Sequence, residues 1–259
     1  MKKFVRDMLV AGKAVLNDNH VLLTLTNVAG DVLPEMKPGQ FVQVLVEDSP
    51  ETFLRRPISI NSVDYEKQEL SLLIQKKGEG TKHLFALDEG DTVDLLFPLG
   101  HGFTFPEANE RILLVGGGVG VAPLLFFGKA LKRHGVEPTF LLGARSADML
   151  LEREEFETLG RVFITTEDGT AGEKGFVTQH SLFTKEHFER MAVCGPAAMM
   201  KAVARLAASC GITCEVSLEN MMACGVGACL CCVEKTVRGN VCVCQEGPVF
   251  NINELTWLN

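Results

Sequence analysis

Four cysteines near the C-terminus have the residue type and spacing of iron–sulfur ligands. They form the pattern C-x4-C-x2-C-x11-C, and they are Cys224, Cys229, Cys232 and Cys244. This spacing is close to that of plant-type [2Fe-2S] proteins, which carry three ligands close together and a fourth farther along the chain. Gly225 and Gly227 allow backbone angles that a Cβ would forbid, so amide N–H groups can turn toward bridging sulfides. The pattern therefore predicts an electron-transfer protein.

Disulfides and structural zinc are the alternative roles for these cysteines. Disulfides belong to oxidising compartments, whereas residues 1–7 contain no continuous apolar segment of a secretory signal and no apolar run reaches membrane-spanning length. We therefore expect a cytoplasmic protein. Structural zinc ligands usually arrive as two short pairs, whereas here a triplet precedes one distant cysteine. A zinc-stabilised interaction module stays open as an alternative of another functional class.

Two further cysteines lie close to this pattern. Cys231 stands immediately before Cys232, and Cys242 stands two residues before Cys244. Either one is an alternative ligand on proximity alone. The spacing favours Cys232 and Cys244 as the third and fourth ligands.

Length and charge limit the functional class. The chain has 259 residues, of which 46% are hydrophobic and 22% charged, which is enough for two or three folded domains. The formal net charge of -8 argues against general nucleic-acid or anionic-membrane binding, because such partners need a dense positive surface. We expect no nucleic-acid partner and no membrane partner.

The first hundred residues have the pattern of strands. Apolar and β-branched segments at 21–26, 40–46 and 70–75 are separated by Pro, Gly, Asp and Asn, which predicts an antiparallel barrel or sandwich. Thr81 is a good N-cap residue, so a short helix is predicted after it. Residues 98–106 have the composition of a domain boundary.

From Arg111 onward, strand patterns alternate with helical patterns. Strands are predicted near 111–115, 139–143, 162–166 and 191–194, with helices at 122–133, 150–158 and 197–208. Such alternation is typical of a parallel α/β sheet. The fold class predicted for the whole chain is thus β plus α/β: an antiparallel barrel, a parallel α/β nucleotide-binding domain and a small C-terminal cluster domain.

A glycine run connects the first of these strands to the following helix. Its members are Gly116, Gly117, Gly118 and Gly120, and Pro123 suits the first helical turn that follows. Backbone amides exposed at a helix N-terminus can bind a pyrophosphate. A tight strand-to-helix turn without a ligand is equally compatible with the run taken alone.

Three motifs together make the chain resemble the ferredoxin–NADP reductase superfamily. These motifs are Arg56–Ser59, Gly116–Pro123 and Cys194–Pro196. The resemblance implies that the first binds flavin, that the second receives the pyridine nucleotide, and that Cys194 lies near the nicotinamide ring. The Arg56 guanidinium can form paired hydrogen bonds to a diphosphate, and Ser59 offers a hydroxyl to the flavin edge. A salt-bridged surface Arg and a buried strand-end thiol are the competing interpretations of Arg56 and Cys194.

Within that superfamily, two segments most resemble the electron-transfer subunits of NAD-dependent dihydroorotate dehydrogenase. They are Ser217–Cys224 and Cys244–Phe250. The resemblance implies FAD, a [2Fe-2S] cluster held by the four cysteines, and NAD as the electron acceptor. It also implies domains at 1–103 (FAD-binding barrel), 104–210 (NAD-binding) and 211–259 (cluster). The FAD-binding residues that it implies are Arg56, Pro57, Ile58, Ser59, Leu73, Ile74, Gln75, Gly80 and Thr81.

The sequence departs from the superfamily pattern at two of these positions. Ile58 stands where many reductases carry a Tyr that stacks on the flavin, and Cys231 replaces a Gly common before the third cluster ligand. The first departure leaves one flavin face without aromatic cover. The second leaves a free thiol beside the cluster.

No obvious acid–base constellation for dihydroorotate oxidation is found, since the six histidines are scattered. The resemblance accordingly implies a separate FMN-containing catalytic subunit, in a heterotetramer of two copies of each chain. Arg145 follows a strand where it could meet the 2′-phosphate of NADP, but the family resemblance favours NAD. A related cluster-bearing subunit of a sulfide dehydrogenase or of a ferredoxin:NAD(P) oxidoreductase is the alternative enzyme.

Overall fold

The computed structural model describes residues 2–47 and 49–258. Within these residues, six antiparallel strands close a barrel in the order β1-β2-β5-β4-β3-β6. The barrel strands are β1 (Phe4–Asn17), β2 (His20–Asn27), β3 (Phe41–Val44), β4 (Arg56–Asp64), β5 (Glu69–Gln75) and β6 (Thr92–Leu99). The predicted antiparallel barrel is confirmed.

The barrel interior is filled by alternate residues of its strands. Val21, Leu23 and Leu25 of β2 are fully buried inside it, because successive side chains of a strand point to opposite faces. On the outer face, Leu22 of β2 and Leu73 of β5 pack against the apolar core of the α/β part. This outer packing brings β2 and β5 against the α/β part of the chain.

A short helix, α1 (Glu79–Ala86), follows β5, but it begins earlier than the sequence indicates. The prediction of Thr81 as N-cap is wrong: Gly78 is the N-cap, and Thr81 lies in the first turn. The hydroxyl of Thr81 accepts hydrogen bonds from the N–H groups of Lys77 and Gly78. Thr81 therefore still stabilises the helix start, but from inside the helix.

The second part of the chain is built on a seven-stranded sheet in the order β10-β9-β8-β7-β11-β12-β15. Its strands are parallel except for β15, which pairs antiparallel with β12. They are β7 (Ile112–Gly117), β8 (Thr139–Ala144), β9 (Arg161–Thr166), β10 (Glu173–Lys174), β11 (Arg190–Cys194), β12 (Thr213–Ser217) and β15 (Val249–Asn251). The intervening helices are α2 (Val121–Arg133), α3 (Arg153–Leu159), α4 (Leu182–Lys185) and α5 (Ala197–Ser209). The predicted parallel α/β sheet is confirmed.

The cysteine-rich segment lies between β12 and β15. It contains the hairpin β13 (Val233–Thr236) and β14 (Gly239–Cys242), followed by the short helix α6 (Val243–Glu246). Cys232 and Cys244 share one apolar core with Phe41 and Leu99 of the barrel and with residues of the sheet. The segment is thus packed against both larger parts of the chain. Within the described ranges, no helix is long and apolar enough to cross a bilayer.

Candidate functional site

The cysteine loop has the backbone angles that its glycines allow. Gly225 and Gly227 have φ of 68° and 79°, in the left-handed region that disfavours a Cβ. Leu230 also has a positive φ, of 58°, just before Cys231 and Cys232. The loop therefore turns repeatedly and brings the ends of the C-x4-C-x2-C triplet close to each other.

Backbone N–H groups of this loop point at cysteine sulfurs. The N–H of Val226 donates to Cys224 Sγ at 3.4 Å, and the N–H of Gly227 donates to Cys244 Sγ at 3.2 Å. A third N–H, that of Cys244, donates to Cys232 Sγ at 3.4 Å. Such donors favour thiolates, and in iron–sulfur proteins they also tune the cluster potential.

Two contacts join the four sulfurs, and Cys242 makes a third contact with Cys232. Cys224 hydrogen-bonds Cys229, and Cys244 hydrogen-bonds Cys232. In residues 2–47 and 49–258, no three His, Cys, Asp or Glu side chains surround a single metal-ion position. A [2Fe-2S] cluster takes two thiolates on each of its irons, whereas structural zinc needs all four ligands on one ion. Four thiols of which Cys224 contacts Cys229 and Cys232 contacts Cys244 fit the two-iron cluster.

The two pairs differ in their surroundings. Burial disfavours the thiolate of Cys224, but the N–H of Val226 and the contact with Cys229 outweigh burial and lower the pKa to about 6. At Cys244, burial and the neighbouring Cys232 raise the pKa to about 12. Cys229 is exposed, whereas Cys232 and Cys244 lie in the core. One pair thus faces the surface and the other faces the interior.

The two extra cysteines lie beside this quartet. Cys231 is exposed, and its Sγ lies 3.6 Å from the carbonyl oxygen of Met221. Cys242 Sγ lies 4.0 Å from the carbonyl oxygen of Gly227, and its pKa is raised by desolvation and by the nearby thiols, Cys232 first among them. The choice of Cys232 and Cys244 over these two stays a prediction.

A cavity of about 440 Å³ lies between the barrel, the glycine turn and the cysteine loop. Seven of the residues assigned to FAD by resemblance line it: Arg56, Pro57, Ile58, Ser59, Leu73, Gln75 and Thr81. Ile74, by contrast, points into the barrel core, and Gly80 lies buried beneath Arg56. The cavity is large enough to accept a flat aromatic ring system.

Arg56 can offer guanidinium N–H groups to an anion in this cavity, because within the described residues only its Nε is seen to donate, to the carbonyl oxygen of Arg55 at 3.1 Å. Its neighbour Arg55 is engaged by Asp94 at 2.6 Å, whereas no ion pair of Arg56 is found in the part of the chain that the structure describes. Gly80 makes room for it, because a Cβ there would lie 3.0 Å from Arg56 Cδ. The first-turn N–H groups of α1, at Glu79–Thr81, have no intrahelical acceptor. A guanidinium beside a helix N-terminus suits a diphosphate, so these residues fit FAD.

Several residues that line the cavity were not predicted from the sequence. These residues are Phe41, Leu54, Lys77, Val119, Ala122, Leu218, Glu219, Asn220, Met221, Met222 and Pro248. Leu218–Met222 lie inside the segment that carried the family resemblance, which was the available signal for them. Burial raises the pKa of the Glu219 carboxyl, and Lys77 partly offsets this effect. Cys231 also lines the cavity, so the cluster loop and the flavin motif share one wall.

The glycine run forms a turn at the carboxyl end of β7, against the Cys194–Pro196 turn of the neighbouring strand β11. A Cβ on Gly120 would lie 2.5 Å from the Cα and N of Gly195, so only glycine permits this approach. Gly116 and Gly117 end the strand, Gly118 takes a positive φ of 55°, and Pro123 lies in the first turn of α2. Helix α2 starts without a side-chain cap, which leaves its N–H groups available to an anion.

Cys194 lies at the end of β11, where it pairs with Gly116 on one side and Ser217 on the other. Its side chain is 2% exposed. Burial, and next the carboxyl of Glu219, raise the pKa of the thiol far above its usual range. Cys194 is therefore a neutral thiol at physiological pH, suited to packing or hydrogen bonding and not to nucleophilic attack.

The chain is similar to known proteins along its whole length. Residues 219–256 match the iron–sulfur cluster binding domain of dihydroorotate dehydrogenase B, and residues 114–205 match an oxidoreductase NAD-binding domain. A dihydroorotate dehydrogenase B (NAD(+)) electron transfer subunit from Shouchella clausii is 40% identical over 263 residues, which cover 98% of each chain. The same subunit from Bacillus cereus is 39% identical over 259 residues, 96% of this chain and 98% of that one. A solved NADH-dependent reduced ferredoxin-NADP oxidoreductase structure superimposes with a TM-score of 0.87 and 31% identity, covering 96% of this chain and 90% of that chain.

Proposed function

This chain belongs to the family of electron transfer subunits of NAD(+)-dependent dihydroorotate dehydrogenase B, and on that premise we propose that it carries electrons from a dihydroorotate-oxidising partner to NAD+. The observation that carries the proposal is the position of the cysteine loop. Cys231 lines the cavity that suits FAD, while Cys229 is exposed at the protein surface. The loop therefore borders both the flavin cavity and the surface that a partner can reach.

Three bound groups would supply the electron-transfer chemistry: an iron–sulfur cluster exchanges single electrons, NAD+ accepts a hydride, and FAD can do both. The chain's own residues hold and orient them. Arg56 and the N-terminus of α1 bind the FAD diphosphate, and Ser59 hydrogen-bonds the flavin edge. The turn at Gly116–Gly120 receives the NAD pyrophosphate, and Cys194 helps to position the nicotinamide.

The exposed face of the cysteine loop is the proposed docking surface for the catalytic partner. Met221, Val226 and Leu230 are 83%, 40% and 65% exposed and lie in the same segment as Cys224 and Cys229. Exposed apolar residues grouped in this way are typical of protein–protein contacts. We propose that the partner contains FMN, that two copies of each chain form a heterotetramer, and that the complex is cytoplasmic.

A second candidate function is supported by one comparison. The 31% identity and TM-score of 0.87 to the ferredoxin-NADP oxidoreductase chain favour a related subunit that exchanges electrons with ferredoxin. The two functions differ in the one-electron donor. They share the same FAD, cluster and pyridine-nucleotide sites.

The test is anaerobic purification of the chain alone and with a candidate catalytic subunit, followed by analysis of iron, acid-labile sulfide and flavin. We expect FAD and a [2Fe-2S] cluster on the chain alone, NADH oxidation with artificial acceptors, and no dihydroorotate oxidation. The complex should reduce NAD+ with dihydroorotate. Dihydroorotate oxidation by the isolated chain would contradict the division of labour, and reduced ferredoxin as the only effective donor would favour the second candidate. Colourless protein that contains zinc would overturn both functions.

A further inference from the structure

We propose that Gln43 donates a hydrogen bond from its side-chain amide to the iron–sulfur cluster and so raises the cluster's reduction potential. This inference rests on the proposed cluster site. Gln43 lies on β3 of the barrel, far in sequence from the four cysteines, and its side chain is 0% exposed. Within residues 2–47 and 49–258, neither Nε2 nor Oε1 of this side chain has a hydrogen-bond partner.

The face of β3 that carries Gln43 packs against the cysteine segment. Phe41 lies two residues earlier, so it shares a strand face with Gln43. Phe41 belongs to the same apolar core as Cys232 and Cys244. Leu96, which stands opposite Gln43 on β6, also packs against this core. Gln43 is therefore a buried amide in the part of the barrel wall that packs against the cysteine segment.

A close contact joins the Gln43 amide to the cluster loop itself. A Cβ placed on Gly225 would lie 2.9 Å from Gln43 Cγ and 3.3 Å from Gln43 Nε2. Gly225 directly follows Cys224, so the amide lies against the backbone of a proposed iron ligand. The absence of a side chain on Gly225 is what lets the amide approach.

A buried carboxamide without partners is unfavourable, because its lost hydrogen bonds to water are not replaced. Another fully buried glutamine shows the ordinary solution: Gln40 Oε1 accepts from the N–H of Lys37 at 2.7 Å, and its Nε2 donates to the carbonyl oxygen of Gly100 at 2.8 Å. Gln43 has no such partners. Cluster sulfur is an acceptor that bears negative charge, so it suits the Nε2 donor of Gln43. Only Oε1 would then lack a hydrogen-bond partner.

The functional consequence follows from charge. Reduction adds an electron to the cluster, and a donor aimed at its sulfur stabilises the more negative state. Gln43 therefore makes the cluster a better electron acceptor. The amide is neutral, so it exerts this effect without a titrating group.

The test is a redox titration of the purified complex in which the reduced cluster is followed by electron paramagnetic resonance. Gln43→Met keeps the length of the side chain and removes the donor, so the midpoint potential should shift to a more negative value. Gln43→Glu replaces the donor with an acceptor and should shift it further. Gln40→Met is the matched control: it removes a buried amide that already has partners, so it should lower thermal stability and leave the potential unchanged.

A second measurement needs no variant. With glutamine side-chain amides labelled with ¹⁵N, pulsed spectroscopy of the reduced wild-type cluster should show a coupled amide nitrogen and an exchangeable proton. An unchanged potential in Gln43→Met, or no such coupling in the wild type, overturns the proposal for Gln43. Protein that lacks iron and sulfide altogether would instead overturn the cluster site, so the two failures are distinguishable.

Discussion

The contact between Asn61 and Glu152 joins the barrel to the α/β part and yields a quantitative prediction. Asn61 lies on β4 and is 1% exposed, and its Nδ2 donates to Glu152 Oε1 at 2.9 Å. Two buried oxygens remain, Asn61 Oδ1 and Glu152 Oε2, and neither has a partner in the described part of the chain. An ionised carboxylate has no proton to offer the amide oxygen. A protonated Glu152 carboxyl, or the amide of a glutamine in its place, has a proton to donate.

Burial raises the pKa of Glu152 above its ordinary value of 4.5, while the hydrogen bond from Asn61 and then the charge of Lys129 oppose this rise. The folded protein therefore binds more protons than the unfolded chain at pH values between 4.5 and the raised pKa. Because of this difference, the free energy of unfolding must fall as the pH rises through that interval. Glu152→Gln removes the titrating group and so should remove this contribution to the pH dependence.

The magnitude follows from the two unpaired oxygens. Each buried, unpaired polar atom costs about 1–3 kcal/mol, whereas a hydrogen bond to a charged acceptor exceeds a neutral one by about 1 kcal/mol. The expected gain is the cost of the unpaired atoms minus the advantage of the charged acceptor. Because Glu152 is only partly buried, we use the lower end of that difference. Glu152→Gln should then stabilise the protein at pH 8 by about 1–2 kcal/mol, which corresponds to roughly 2–8 °C in Tm for a chain of this size.

The assay is thermal unfolding followed by circular dichroism across a pH series from about 4.5 to 8, at equal flavin and cluster content. The difference between variant and wild type should be largest at high pH and should vanish toward low pH, where Glu152 is protonated. Glu157→Gln is the control, since Glu157 is exposed and its carboxylate pairs with Arg153 at 2.7 Å; it should change stability by less than about 0.5 kcal/mol. A variant less stable than wild type at pH 8, or a difference independent of pH, would refute the reasoning.

Three further predictions concern the cofactor sites. Gly120→Ala places a Cβ against Gly195, so it should destabilise the protein by about 1–3 kcal/mol. It should also raise the KM for NADH in a diaphorase assay. Unchanged kinetics would contradict the role of this turn in nucleotide binding. Cys232→Ser should abolish the visible cluster absorption, whereas Cys242→Ser should keep it, and the opposite result would reassign the ligand. Arg56→Gln should lower FAD retention on gel filtration by about tenfold or more, as expected for the loss of a charge-assisted bond of about 1.5–3 kcal/mol; full retention would exclude this arginine from the diphosphate site.

The fold class and the cofactor motifs could be predicted from sequence because their signals are local. The four cysteines, the glycine run and the strand alternation each occupy a short stretch, and within such a stretch the covalent spacing limits what geometry is possible. Even so, the prediction of Thr81 as N-cap placed the start of α1 too late in the sequence. A hydroxyl in the first turn can reach back to the same N–H groups that an N-cap would bind, and the sequence does not distinguish these two positions.

By itself, then, the sequence determined that this chain is an electron-transfer protein. It could do so because the ligand spacing along one loop and the glycines that permit its turns are properties of contiguous residues. Only the tertiary structure decided what surrounds those groups. Phe41, Glu219 and Pro248 meet at one cavity although long stretches of chain separate them. Gln43 lies on a barrel strand, and its side chain contacts Gly225 because the cysteine segment packs against the barrel. The physical reason is that a buried residue's environment is set by packing between distant segments, which no local pattern encodes.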